Sequence, residues 1–114
     1  MLGDNYVPKQ GDIIWMAFTT HSDRTDARPV LVISHEKYNE KAGLLLACPL
    51  TSNVMVKGYP FAIETPADCS VSGVILADQV KSLNWKARKS SYICSVPEST
   101  MQEVLQRIRL IVGL

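Results

Sequence analysis

The chain has little of what most simple functional readings require. Its longest uninterrupted apolar stretch is seven residues, Leu44 to Leu50, far short of the ~20 that a membrane-spanning helix needs. The opening M-L-G-D-N-Y-V-P-K has no basic-then-apolar pattern of a secretion signal. There are only two histidines, His21 and His35, and three cysteines, Cys48, Cys69 and Cys94, with no C-x-x-C spacing. A metal site would have to come from scattered carboxylates, so the expected chemistry is free of metal and of other cofactors. An odd cysteine count without paired spacing points to a reducing cytoplasm, with Cys48 and Cys94, inside apolar runs, as small core residues. Charge of one sign is also missing. Twelve Lys and Arg against eleven Asp and Glu leave a net charge of +1, which argues against a protein that coats nucleic acid by charge alone.

What is present is ordinary globular composition, 46% hydrophobic and 20% charged, over 114 residues. That suits one domain, residues 1–114, with a single core and neither linkers nor repeats. Charge is local rather than global: Lys81, Lys86, Arg88 and Lys89 fall within nine residues that hold no carboxylate.

Short apolar runs rich in β-branched residues alternate with turn signals. They predict strands over Asp12–Phe18, Pro29–Ser34, Leu44–Thr51, Lys57–Glu64 (with Pro60 at an edge or bulge), Gly73–Ala77 and Tyr92–Val96. His35 to Lys41 predicts a helical turn before Gly43. After Pro97 and Glu98, residues Met101, Val104, Leu105, Ile108, Ile111 and Val112 recur at helical spacing. The pattern predicts a small antiparallel barrel or sandwich with a C-terminal amphipathic helix against it.

Arg28-Pro29 marks where a loop dense in chemistry meets a core strand. The nine residues from Thr20 to Arg28, T-H-S-D-R-T-D-A-R, hold a histidine, two carboxylates, two arginines and three hydroxyls. A rigid strand following such a loop can hold a charged group at the rim of a core.

Six motifs follow in order: G-D-I-I-W (Gly11 to Trp15), S-D-x-x-x-x-R-P (Ser22 to Pro29), P-L-T (Pro49 to Thr51), K-G-Y-P-F (Lys57 to Phe61), A-D-Q-V-K-S-L-N-W (Ala77 to Trp85) and V-P-E (Val96 to Glu98). Each is weak alone. In this order and spacing, over roughly residues 6 to 112, the chain resembles the MazF/PemK family of bacterial toxins. The resemblance implies an SH3-like, CcdB-type barrel that forms a homodimer. It implies a toxin of a type II toxin-antitoxin system that cuts single-stranded RNA at short sequences without metal, leaving a 2′,3′-cyclic phosphate and a 5′-hydroxyl. The implied partners are RNA and a cognate antitoxin with an acidic, disordered tail.

By the same resemblance, Arg28 matches the catalytic arginine before proline, and its guanidinium fork suits the transition-state charge on phosphorus. Thr51 matches the catalytic threonine, although a strand-end threonine also commonly caps a turn. Asp23 stands where many relatives carry glutamate; it can accept the 2′-hydroxyl proton or orient Arg28. The PemK branch has a histidine at the position of Ser22 and an arginine at that of Leu76, and keeps the aspartate as Asp78, read here as a structural acid. Phe18, Thr20, Ser22, Ser52, Lys57, Gln79, Lys81 and Lys86 are the candidate RNA contacts, with Tyr59 and Trp85 as further stacking faces. Trp15 and Phe18 alternate with apolar neighbours, so at least one of them is expected in the core. Two other classes share the barrel: a non-catalytic CcdB-like toxin that binds DNA gyrase, and an inactive SH3-like binding module. The pairing of Arg28 and Thr51 with K-G-Y-P-F favours the nuclease.

Overall fold

A computed structural model of the chain describes residues 6–17, 27–53 and 58–114. Among these residues are seven strands and two helices: β1 (Asp12–Ala17), β2 (Ala27–Val32), α1 (Glu36–Ala42), β3 (Leu45–Thr51), β4 (Ala62–Glu64), β5 (Val74–Leu76), β6 (Lys81–Leu83), β7 (Ser90–Ser95) and α2 (Glu98–Val112). The strands form one antiparallel sheet in the order β4-β5-β3-β2-β1-β7, with β6 also paired to β3. This barrel-like sheet with a terminal helix agrees with the fold class read from the sequence, although among the described residues β4 and β7 are not paired.

Both faces of the sheet are apolar at its centre, because successive side chains of a strand point to opposite sides. Ile13, Leu31, Ile33, Cys48, Leu50, Ile63 and Ile75 make one core, closed by Met101 and Val104 of α2. Ile14, Met16, Val30, Val32, Leu45, Ala47 and Leu83 make the second, with Tyr6 and Trp85 packed against it. Burying both faces explains why β2 and β3 read as continuous apolar runs rather than alternating ones.

The expected helical turn is α1. The His35 side chain accepts from the Lys37 backbone N–H at 3.0 Å, and Gly43 closes the helix in the left-handed region at φ 71°, where a Cβ is costly. Asn39 on α1 is fully buried and donates to the Pro8 and Ser34 carbonyls. In G-D-I-I-W, Asp12 is buried and accepts from the Tyr6 hydroxyl, the Lys9 N–H and Ser95 Oγ. Burial first, and then that hydrogen bond, hold the Tyr6 phenol above its ordinary range.

Four expectations need correction. The predicted strand Lys57–Glu64 shrinks to Ala62–Glu64: Pro60 has no N–H for a ladder and lies in a turn closed by Ala62 N–H to Tyr59 C=O. β6 runs through the basic segment, whose short, mostly exposed K-S-L gives no apolar signal. Cys94 is not a free core thiol but is disulfide-bonded to Cys69, with Cα atoms 5.9 Å apart; the fold brings β7 to the loop before β5, which spacing in the sequence cannot show. Finally, α2 buries only its first half. Leu105 and Ile108 are partly buried against the core, while Ile111 and Val112 in the last turn are exposed.

Candidate active site

The register of the central strands brings Arg28 and Thr51 together. Val30 pairs with Pro49 across β2 and β3, and Arg28 and Thr51 each lie two residues further along, at the same end of adjacent strands. By alternation both point to the face opposite α2: Arg28 shares its side of β2 with Val30 and Val32, and Thr51 shares its side of β3 with Pro49 and Ala47. Lys81 of β6 pairs with Ala47 and projects from this face too. A guanidinium, an ammonium and a hydroxyl thus stand on the sheet side that the helix leaves free.

Arg28 is exposed, and its hydrogen bond among the described residues is a long one, Nη1 to the Ala27 carbonyl at 3.5 Å. No carboxylate among the described residues forms an ion pair with it. As far as the described residues go, its donor fork is open to an anion from solvent. Thr51 is half-buried, and its Oγ1 accepts from the Asn53 N–H at 3.1 Å. The capping role noted from sequence is real, yet it uses only a lone pair. The hydroxyl hydrogen remains a donor.

Thr51 also forms the wall of an open cleft of about 260 Å³ with Ser52, Glu64, Thr65, Gly73 and Val74. Gly73 was not singled out in the sequence as more than a strand start. A Cβ there would lie 2.5 Å from the Thr51 carbonyl oxygen, so the residue lets β5 approach the catalytic candidate closely. Its position at a strand edge, after a loop, was the available signal.

The A-D-Q-V-K-S-L-N-W motif holds the structure around this face. The Tyr59 hydroxyl donates to Asp78 Oδ2, tying the K-G-Y-P-F loop to the turn between β5 and β6. That bond, before any other cause, raises the Tyr59 phenol above its ordinary value. Asp78 thus has a structural bond, as expected of it. Gln79 and Ser52 are exposed, Gln79 in the β5–β6 turn and Ser52 just past β3. Trp85 is half-buried and donates from its indole N–H to the Asn39 carbonyl at 3.0 Å, and Lys86 Nζ lies 5.7 Å from its ring centroid. Both are therefore engaged at α1 rather than grouped with Arg28. Tyr59 is exposed, as is Trp15, opposite Pro29 and Ser91. Asp23, Phe18, Thr20, Ser22 and Lys57 lie outside the described residues.

Cys48, beneath the site on the α2 side, is fully buried, and burial, with a smaller contribution from the Asp78 charge, pushes its thiol up to about 12. It is an inert core group, not a nucleophile.

Comparisons with known proteins identify the family. Residues 9–112 match the model of the PemK-like, MazF-like toxin of type II toxin-antitoxin systems. The chain belongs to this family. It is similar to the endoribonuclease toxin MazF of Escherichia coli K12, with 38% identity over 110 residues that cover 95% of this chain and 96% of the relative. Similarity to the endoribonuclease PemK of Escherichia coli is lower, 28% over 104 residues, covering 86% of this chain and 77% of that one. Among solved structures, a MazE–MazF complex from Deinococcus radiodurans superposes with a TM-score of 0.86 at 39% identity, covering 96% of this chain and 99% of that chain. The MazF-like fold places Arg28 and Thr51 on adjacent strands, whatever the departures at Ser22 and Leu76.

Proposed function

We propose that this MazF-like endoribonuclease toxin cuts single-stranded RNA at short sequences, without a metal, using the RNA's own 2′-hydroxyl as nucleophile. The new bond forms between O2′ and phosphorus as the bond to O5′ breaks; the 2′-hydroxyl gives up its proton and the departing O5′ takes one from solvent, which yields a 2′,3′-cyclic phosphate and a 5′-hydroxyl. The protein's task is then to hold the groups in line and stabilise the charge that builds on the phosphoryl oxygens. The exposed Arg28 fork binds those oxygens, and the Thr51 hydroxyl donates to one of them. Asp23 accepts the 2′-hydroxyl proton or orients Arg28.

The observation that supports this reading best is the placement of Arg28 and Thr51 at one end of β2 and β3, on the face that α2 does not cover. Lys81 extends that face as a path for the RNA; Ser52 and Gln79 at its rim, with Phe18, Thr20, Ser22 and Lys57, are further proposed contacts, whereas Lys86, engaged at α1, contacts RNA only outside this path. The protein acts in the cytoplasm as a homodimer, which doubles the positive face of a nearly neutral chain. A cognate antitoxin with an acidic, disordered tail competes for the same face.

The test is to incubate the purified protein with a long, unstructured RNA in excess EDTA and map cut sites and end groups. Cuts at one short motif with cyclic-phosphate and 5′-hydroxyl ends are expected. A folded protein that leaves the RNA intact overturns the proposal.

A further inference from the structure

Thr51, Val74 and Glu64 stand abreast on three neighbouring strands. Thr51 pairs with Val74 across β3 and β5, and Val74 pairs with Glu64 across β5 and β4. Directly paired residues share a sheet face, so Glu64 projects on the same side as the Thr51 hydroxyl, two strand spacings or roughly 10 Å away. Arg28 continues the row on the far side of Thr51. Across the four strands, the face therefore changes from a cation to a hydroxyl to a carboxylate.

The cleft of about 260 Å³ lies between Thr51 and Glu64. Its volume is just below the ~300 Å³ where sites for drug-sized ligands begin, so it suits one planar base better than a whole nucleotide. Glu64 is its one charged residue, and Ser52, Thr65 and Ser72 add hydroxyls. Glu64 is exposed, and no described residue bonds to its carboxylate. A cleft with a lone negative charge repels the phosphates that Arg28 attracts. What it can accept from a single-stranded nucleic acid is the donor edge of a base.

We infer that the Thr51–Glu64 cleft is a base-selecting subsite, in which the Glu64 carboxylate reads the Watson–Crick edge of a guanine near the scissile phosphate. This rests on the RNA-cutting reading above. Guanine alone among the four bases presents two adjacent donors, N1–H and N2–H₂, which match the two carboxylate oxygens; unpaired bases expose that edge. Uracil offers the single donor N3–H between two carbonyl oxygens, so one carboxylate oxygen is left facing an acceptor. A paired contact of this kind separates right from wrong bases by about 10- to 100-fold.

Two measurements decide it. First, kcat/KM is compared for short RNAs that carry guanine or inosine, which lacks the amino group, at each position around the mapped cut. The wild-type protein should prefer guanine at one position by about tenfold or more, and Glu64→Ala should bring that ratio close to one. Second, affinity for the same oligonucleotides is measured by fluorescence anisotropy in an Arg28→Ala background, with and without Glu64→Ala. This arm reads base selection even if the protein cuts nothing, an outcome that would overturn the nuclease reading alone. Equal base preferences with and without the Glu64 carboxylate, or no guanine preference in either assay, would overturn the inference.

Discussion

The Thr51 hydroxyl accepts a hydrogen bond from the Asn53 backbone N–H at 3.1 Å, and so the turn after β3 orients the group assigned to the scissile phosphate. One oxygen lone pair is used, and the hydrogen is left to donate. Thr51→Ser keeps both functions and should retain most RNA cleavage. Thr51→Val keeps the shape, loses the hydroxyl, and should lower kcat by roughly 10- to 100-fold while costing about 1 kcal/mol of stability from the lost turn bond. Single-turnover kinetics and urea unfolding of the two variants measure these effects separately. Wild-type cleavage by Thr51→Val would remove Thr51 from the site.

Arg28→Ala should behave differently. The side chain is exposed and bonds only weakly to the neighbouring Ala27 carbonyl, so its loss should leave the melting temperature within about 3 °C. Cleavage should fall by roughly a hundred- to a thousandfold, as for the removal of one preorganised transition-state donor. Arg28→Lys retains the charge without the fork and should recover little. A variant that unfolds would mean that Arg28 serves the fold instead.

The buried Cys48 thiol predicts a particular alkaline sensitivity. Its folded-state pKa is raised from 9.0 to about 12. Below about pH 9 the thiol is protonated whether the chain is folded or not, and stability does not depend on it. Between about 9 and 12 only the unfolded chain ionises, so stability falls as pH rises. Iodoacetamide at pH 8 should label Cys48 only after unfolding. In urea titrations, Cys48→Ala should lose part of the wild-type decline between pH 9 and 11. Rapid labelling of the native protein would contradict the burial.

The Cys69–Cys94 disulfide closes a loop across a sequence separation of 25. On loop-entropy grounds it stabilises the fold by about 3.5 kcal/mol, and dithiothreitol should lower the melting temperature by roughly 15 °C. Disulfides are uncommon in a reducing cytosol, where the proposed substrate is found. Neither cysteine lines the cleft at Thr51, so the reduced protein should still cut RNA well below its melting temperature. Scanning calorimetry with and without reductant, beside cleavage assays in both states, checks this. Cleavage confined to the oxidised form would show that the bond serves the site as well as the fold.

That Arg28 and Thr51 stand at strand ends was legible from local residue patterns, whereas their pairing as catalytic groups came from the resemblance. Arg28-Pro29 opens a β-branched run, P-L-T closes another, and each motif keeps its residue at a strand end. Glu64 and Gly73 were not legible in this way. Nothing in S-G-V or A-I-E reveals that both segments flank Thr51 until β5 is paired with β3 and β4. Asp23, Phe18, Thr20 and Ser22 lie outside the described residues, so their roles rest on resemblance alone.

By itself the sequence determined both helices and most of the strands, β6 and the extent of β4 excepted, since periods of two and of 3.6 are local properties of the chain. It also determined α1, through His35 and Gly43, and the amphipathic pattern of α2. Only the tertiary structure decided which face carries Arg28, Thr51 and Lys81, because that depends on the side against which α2 packs. The Tyr59–Asp78 bond, the Cys69–Cys94 disulfide and the free end of α2 were decided in the same way. Each depends on partners distant in the chain, and such partners become neighbours only when strand register and helix docking are set together.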